Sequence, residues 1–231
     1  MNETPLFVTH WWGESYAKFA KSWVKNCIRF KLDYVIVNKS CHKSKNNQER
    51  TNSKAAFVLE CIKKYKRPIV FIDVDMKIQK KPVELLNCSD VDFCAPNWNA
   101  DSRTSEGPVR PDIFETVSQV FFINNTRPAI KLLKLWIESL KKTEYKRKAD
   151  DRVLALVFYL QKASKWCRCK WLPVEYFYIP QYYSHLRLNK KAVIIHPHDL
   201  TSEEEAERMG ADRNRIPKGY GRITRTLASP L

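Results

Sequence analysis

The stretch RPIVFIDVD at residues 67–75 decides the predicted fold. Its four consecutive apolar residues follow a proline and are mostly β-branched or aromatic, which is typical of a short strand buried on both faces. Two carboxylates, Asp73 and Asp75, follow this apolar run. Side chains alternate along an extended chain, so we expect both acids to point the same way and Val74 to point the opposite way.

Two acids at the end of a buried strand repel each other unless positive charge lies between them. A hard divalent cation accompanied by phosphate oxygens is the usual source of that charge. Open α/β folds bind their ligands at the carboxyl edge of a parallel sheet, so the pair predicts a metal–diphosphate site there. The simpler alternative is that the acids cap a turn or form ion pairs with Lys77, Lys80 and Lys81.

The segments around this stretch alternate between strand-like and helix-like patterns. Residues 6–9 and 33–37 are predicted strands, and the apolar positions of residues 14–31 fit one helical face, which together form a β-α-β opening. A polar loop is predicted over residues 38–52, with Ser53 capping a helix that ends near residue 66. Further along the chain, strands are predicted at 91–95, 117–123, 171–173 and 192–195, and helices at 128–142 and 150–163. A long functional loop is predicted at 96–115, and a capped helix after Ser202. The pattern predicts an α/β fold with a parallel sheet and right-handed crossovers.

Composition limits the classes of protein that fit. A chain of 231 residues with 44% hydrophobic and 29% charged residues is long enough to bury a full core and is typical of a soluble globular protein. Its 41 Lys+Arg against 25 Asp+Glu give a net charge of +16, which favours nucleotides, nucleic acid or an acidic membrane surface as partners. The sequence shows no secretory leader or membrane-length apolar run, and its cysteines are scattered. We therefore expect a soluble, cytoplasmic protein with reduced thiols.

Several motifs, in this order, resemble the GT-A-fold, nucleotide-sugar-dependent glycosyltransferases. The core of the resemblance is Lys54 on a helix, the strand ending in Asp73-Val74-Asp75, and Lys81-Pro82 soon after. Further along, VSQVFFINNT at 117–126 is similar to the acceptor-side strand of that family, although Gln119 stands where many relatives have Gly. DDRVL at 150–154 resembles the acidic helix start of the family, and IIH at 194–196 resembles its terminal strand, whose histidine completes the metal site.

The resemblance implies a single GT-A (Rossmann-like) domain over residues 1–231, with a mixed, mostly parallel central sheet flanked by helices. This domain divides into a nucleotide-sugar-binding half (1–95), an acceptor-side half (96–200) and a C-terminal helix and flexible tail (201–231). The resemblance implies Mn²⁺ or Mg²⁺ as cofactor, a UDP-sugar as the favoured donor, a glycan or glycoconjugate hydroxyl as acceptor, and retention of anomeric configuration. Peripheral contact with a membrane is compatible with the charge, and no nucleic acid is expected as partner. The implied metal ligands are Asp73, Asp75 and His196 (or His198). The implied contacts with the nucleotide-sugar are Thr9, Asn38, Arg50, Lys54, Asp73, Val74 and Asp75. The implied catalytic residues are Asp150, Asp151 and Gln119.

Most of these residues also have a simpler interpretation. Thr9 and Asn38 lie at the ends of predicted strands, where turn chemistry alone explains such residues. Arg50 and Lys54 fit a solvated helix face, and Asp150 with Asp151 fits a helix N-cap that stabilises the macrodipole.

Two other functions remain open at this point. Phosphatases of the haloacid dehalogenase type also resemble the D-x-D stretch, and there Asp73 would be the nucleophile, but Lys77 stands where they carry Thr or Val, and two strands precede the motif. A basic nucleic-acid-binding protein would explain the charge and the Lys-rich segment 39–50, although no standard nucleic-acid-binding motif is present.

Overall fold

The computed structural model describes residues 4–40, 47–97, 116–145, 148–180 and 188–196. Met1–His196 form one compact unit. The predicted loop after Asn97, the alternative ligand His198 and the predicted C-terminal helix and tail lie outside the described residues. Within the described ranges, no helix is long and apolar enough to cross a bilayer.

The described elements alternate between strands and helices. The strands are β1 (Leu6–Trp11), β2 (Tyr34–Asn38), β3 (Ile69–Ile72), β4 (Lys77–Ile78), β5 (Phe93–Pro96), β6 (Val120–Ile123), β7 (Cys169–Leu172) and β8 (Ile194–Ile195). The α-helices are α1 (Ala17–Arg29), α2 (Asn47–Tyr65), α3 (Val83–Leu86), α4 (Arg127–Leu140) and α5 (Asp150–Leu160). Short 3₁₀ turns lie at Glu14–Tyr16, Thr143–Tyr145, Ala163–Lys165, Val174–Tyr176 and Leu188–Lys190.

Six strands form the central sheet in the order β2-β1-β3-β6-β5-β7. The pairs β1–β2, β1–β3 and β5–β7 are parallel, whereas β6 runs antiparallel to both β3 and β5. Helices cover both faces of this sheet. The mixed sheet with flanking helices confirms the predicted α/β fold.

Strand β3 lies inside the sheet and is buried on both faces, as its apolar run predicts. Ile69 and Phe71 pack into the core formed with α2, α4 and α5. Val70 and Ile72 pack on the opposite side, into the core that includes α1. The site-bearing end of β3 is therefore held from both sides of the sheet.

The start of helix α2 differs from the prediction. Ser53 does not cap the helix, because α2 already begins at Asn47, and the Ser53 hydroxyl donates to the Arg50 carbonyl at 2.7 Å within the helix. The segment before Ser53 lacks the apolar period of a helix, so its pattern predicts a loop. Gln, Glu and Arg are nevertheless good helix formers, and an acid in the first turn interacts favourably with the helix dipole.

The chain also turns earlier than expected after β3. The Met76 amide donates to the Asp73 carbonyl at 3.0 Å, so residues 73–76 form a turn instead of an extended strand end. Side-chain alternation therefore does not extend to Asp75. After the turn, the short strand β4, which the sequence did not predict, pairs antiparallel with β8 in a separate two-stranded sheet.

Candidate active site

The candidate site lies at the carboxyl end of β3, where three other elements converge. The Asp73 amide donates to the Gln119 carbonyl at 2.8 Å, which joins this strand end to the start of β6. Helix α2 brings Lys54 over the strand end, and the first turn of α5 brings Asp150. The indole of Trp136 on α4 donates to the Asp150 backbone carbonyl at 3.0 Å and fixes the start of α5.

Lys54 lies between two carboxylates and defines what we call the Lys54 ion cluster (Lys54, Asp73 and Asp150). Its ammonium is 2.8 Å from Asp73 Oδ2 and 3.6 Å from Asp150 Oδ2. Only 9% of the Lys54 side chain and 4% of the Asp150 side chain are exposed. The simpler interpretation of Lys54 as part of a solvated helix face is therefore wrong. Among the described residues, Asp73 pairs with Lys54 and not with the alternative partners Lys77, Lys80 or Lys81.

The charges in this cluster shift each other's proton affinity. Burial alone lowers the pKa of Lys54, but Asp150, Asp73 and Asp75 outweigh it and raise that pKa above its ordinary value, so the ammonium stays charged. Burial, together with the neighbouring carboxylates, outweighs the Lys54 ammonium and raises the pKa of Asp73 to about 7. One ammonium thus faces several carboxylates, and the excess negative charge favours an additional cation or a proton.

Asp75 and His196 face each other beside this cluster. Pairing of β4 with β8 brings the chain around His196 next to the turn, and His196 Nε2 lies 3.9 Å from Asp75 Oδ2. Asp75 Oδ1 is buried and has no hydrogen-bond partner among the described residues. The described ranges contain no group of three or more His, Cys, Asp or Glu side chains placed to hold a metal ion. Asp75 and His196 therefore form a pair of candidate ligands, while Asp73 is bonded to Lys54.

Thr9 and Arg50 each carry a buried polar atom that has no hydrogen-bond partner among the described residues. Thr9, in β1, is fully buried, and its hydroxyl has no hydrogen-bond partner in the described part of the chain. The buried Nε of Arg50, at the start of α2, likewise has none there. Asn38 is exposed, and its Oδ1 accepts from the Ser40 amide at 2.9 Å. This hydrogen bond fits the turn role that is the alternative to nucleotide-sugar binding for Asn38.

Val74, Gln119 and Asp151 are the remaining predicted site residues. The side chain of Val74 is buried in the core on the α1 side of the sheet. Gln119 folds back, so that its Oε1 accepts from the Ser118 amide at 3.1 Å. Asp151 Oδ1 accepts from the Arg152 amide at 2.7 Å. The N-cap of α5 is Ala149, without a side-chain cap, so neither acid is the N-cap residue, but both lie in the first turn, where they interact favourably with the helix dipole.

His10 was not identified as a site residue from the sequence. Its ring packs edge-on against Trp12 and Phe57, with centroid distances of 4.5 and 4.7 Å, and Lys39 Nζ lies 4.9 Å from the centre of the Phe57 ring. Burial, with smaller contributions from Lys39 and Lys54, lowers the pKa of His10 to about 2. Side-chain alternation along β1 places His10 on the same face as Val8, and this pattern could have indicated from the sequence that His10 is buried.

Two solved structures of glycosyltransferases share this fold. One is a glycosyltransferase involved in glycosylation of the major capsid of PBCV-1, with a TM-score of 0.61 and 13% identity over 90% of this chain and 99% of that chain. The other is the glycosyltransferase GlyE of Streptococcus pneumoniae TIGR4, with a TM-score of 0.54 and 13% identity over 84% of this chain and 54% of that chain. A comparison with curated proteins found no match.

The family assignment comes from the sequence itself. Residues 13–205 match the model of the nucleotide-diphospho-sugar transferase family. The match spans most of the chain and includes the site residues from Asn38 to His196, whereas Thr9 and His10 precede it. It confirms the predicted enzyme class and favours a transferase over the phosphatase and nucleic-acid-binding alternatives. The chain belongs to the nucleotide-diphospho-sugar transferase family.

Proposed function

We propose that this enzyme transfers a sugar from a UDP-sugar to a hydroxyl group of a glycan or glycoconjugate, with a divalent cation bound beside Asp75. The observation that carries the proposal is the charge arrangement at the end of β3. There, the buried Lys54 ammonium faces Asp73 and Asp150, and Asp75 lies close by with a buried oxygen that has no hydrogen-bond partner among the described residues. Such a site is complementary to a cation accompanied by a diphosphate.

The residues present fit Mn²⁺ or Mg²⁺. A carboxylate oxygen of Asp75 and a ring nitrogen of His196 are suitable donors for such ions, and diphosphate oxygens and water would complete the coordination. When bound, the cation would stabilise the charge that develops on the departing nucleoside diphosphate. Asp73 contributes through charge and through its bond to Lys54.

The other residues have separate roles in this proposal. Lys54 holds Asp73 and Asp150 in fixed positions, so the carboxylates of β3 and α5 keep one geometry at the sheet edge. Arg50, whose buried Nε has no partner among the described residues, would donate to a donor phosphate. Thr9 would contact the nucleoside. Asp150 and Asp151 would hydrogen-bond the transferred sugar.

We propose that transfer retains the anomeric configuration. The bond between the anomeric carbon and the phosphate oxygen breaks, UDP leaves with the electron pair, and the acceptor oxygen bonds to the same face of the sugar while its proton passes to the departing diphosphate. Proton NMR of the first-formed product distinguishes the two outcomes. Retention gives the anomer of the donor, and an inverted product would contradict this part of the proposal.

Turnover of nucleotide sugars tests the proposal as a whole. Release of the nucleotide, which is a nucleoside diphosphate from UDP- and GDP-sugars and CMP from CMP-sugars, is measured for a panel of all three, with and without Mn²⁺. We expect slow hydrolysis of at least one UDP-sugar that requires the metal, is lost in Asp75→Asn and is kept in Asp90→Asn, which removes an exposed acid. Metal-independent turnover, or equal loss in both variants, would contradict the assigned site.

A further inference from the structure

The C-terminal end of helix α5 exposes two adjacent large apolar side chains. Tyr159 is 69% exposed and Leu160 is 55% exposed. Among the described residues, the other large exposed apolar side chains, Ile28 and Val83, are isolated from each other in the sequence. An amphipathic helix would carry polar residues on its outer face, so the position of this pair requires a separate explanation.

Basic residues follow this pair closely in the sequence. The chain from Arg152 to Val174 contains no Asp or Glu. Lys162 and Lys165 are exposed and form no ion pair with any described residue, whereas Arg168 and Lys170 are paired with Asp92 and Glu84, respectively.

A third lysine reaches the same place from helix α4. Lys131 Nζ lies 4.3 Å from the ring centre of Trp166, and the Trp166 indole donates to the Gln161 carbonyl at 3.1 Å. We call this surface, formed by Tyr159, Leu160, Lys162, Lys165, Trp166 and Lys131, the α5 tip.

We propose that the α5 tip docks on the surface of a lipid bilayer that contains anionic lipids. Tyrosine, tryptophan and leucine beside lysines are the residue types that enter the headgroup region, where the lysine stems cover apolar surface and the ammonium groups meet lipid phosphates. Charge complementarity identifies the partner, because basic residues near an anionic leaflet each strengthen binding. A second copy of the chain fits less well, since a symmetric contact would bring the lysines of both copies together.

The docked orientation leaves the candidate active site accessible. Asp150 begins α5 inside the Lys54 ion cluster, and Leu160 ends the same helix. At the helical rise of 1.5 Å per residue, the two ends are about 15 Å apart. The α5 tip can therefore contact lipid without covering the site, and its substitution should leave turnover of soluble nucleotide sugars unchanged.

Vesicle co-sedimentation of the full chain tests this proposal. The vesicles contain phosphatidylcholine alone or an equimolar mixture with phosphatidylglycerol, at low and at physiological salt. We expect binding to the anionic vesicles, weakened about 30-fold by Lys162→Gln/Lys165→Gln. We expect Tyr159→Ser/Leu160→Ser to weaken it at least about tenfold. The matched controls Ile28→Ser and Lys21→Gln/Lys25→Gln change an exposed apolar side chain and two exposed lysines on α1, and both should bind like the wild type.

Several results would overturn the proposal. These are no binding of the wild-type chain, equal losses in test and control variants, or equal binding to neutral vesicles. A dimer that Tyr159→Ser/Leu160→Ser converts to monomer would assign the surface to a second copy. Binding of polyglutamate as strong as that of anionic vesicles would assign it to an acidic protein. If the apolar variant unfolds in a thermal melt, the lysine variant with its α1 control decides the outcome.

Discussion

At the scale of single residues, the site depends on a buried ammonium that balances buried carboxylates. Removing Lys54 and Asp150 from water is costly, and the cost is offset only while the charges face each other. Asp73 gains a direct hydrogen bond from the same ammonium at 2.8 Å. The cluster thus couples the stability of the fold to the geometry of the site.

Substitution of Lys54 tests this coupling. Lys54→Met keeps most of the apolar stem of the side chain but leaves the carboxylates of Asp73 and Asp150 without their cation. We expect the free energy of unfolding to fall by about 3–5 kcal/mol, measured by urea denaturation. Lys63→Met, which changes an exposed lysine of the same helix, should stay within about 0.5 kcal/mol of the wild type.

A second variant separates charge from packing. Lys54→Met/Asp73→Asn removes one of the uncompensated acids and should recover part of the lost stability, so that the two changes are not additive. Additive losses in this double-mutant cycle would show that Lys54 stabilises the fold through packing alone.

His10 provides a prediction about pH. Its pKa is about 2 in the native protein against an ordinary value of 6.5, so below pH 6.5 the unfolded chain binds a proton that the native protein does not. Protonation of His10 in the unfolded chain therefore lowers the free energy of unfolding as the pH falls from 6.5 towards 2, by at most about 1.4 kcal/mol per pH unit. Denaturation of wild type and His10→Gln at several pH values measures it. The variant should show a shallower loss, and parallel curves would contradict a buried neutral imidazole.

At the scale of elements, a polar connection holds the start of α4 against the central sheet. Thr126 caps α4 by accepting from the Ala129 amide at 3.3 Å, and its hydroxyl donates to Asp92 Oδ1 at 2.7 Å. Asp92 Oδ2 also accepts from the Arg168 amide just before β7, at 2.8 Å. A single carboxylate therefore joins the approaches to β5, α4 and β7.

Substitution of the α4 cap should destabilise the fold measurably. Thr126→Ala removes both the cap and a partner of the buried Asp92, so we expect a loss of about 1–2 kcal/mol in thermal or urea denaturation. Thr126→Ser keeps both hydrogen bonds and should lie close to the wild type. Thr143→Ala changes an exposed threonine and serves as control; an equal loss there would argue against a cap effect.

The elements differ in how far the sequence could predict them. The apolar run of β3 and the helical period of α4 depend on local patterns, and both elements are observed near their predicted positions. The start of α2 was missed because helix propensity, and not an apolar face, extends it. Strand β4 has two residues and exists through its pairing with β8, a tertiary contact that no local pattern encodes.

Within the site, too, features that depend on local sequence patterns are predictable, and features that depend on tertiary contacts are not. The position of Asp73 and Asp75 after a buried strand is visible in the sequence, and so is the acidic start of α5. The pairing of Lys54 with Asp73 and Asp150 joins residues that are far apart in the chain, and the turn at residues 73–76 separates the directions of the two acids. These features arise from packing and could not be read from spacing.

At the scale of the whole molecule, the net charge of +16 predicts two kinds of anion binding. Diffuse attraction to polyanions is screened by salt and does not depend on any single acid. A built diphosphate site keeps its affinity at physiological salt and depends on Asp75. We therefore expect retention on a heparin column at low salt to be similar for wild type and Asp75→Asn. Elution of the variant at a clearly different salt concentration would show that the substitution changes more than the site.

Calorimetric titration of UDP in physiological salt, with and without Mn²⁺, tests the central claim most directly. The account predicts that UDP binds wild-type protein in the presence of Mn²⁺, that binding weakens at least about tenfold without the metal, and that Asp75→Asn loses the metal-dependent part while Asp90→Asn retains it. UDP binding that is indifferent to both the metal and Asp75, or no binding of UDP under any metal condition, would contradict the proposed metal–diphosphate site.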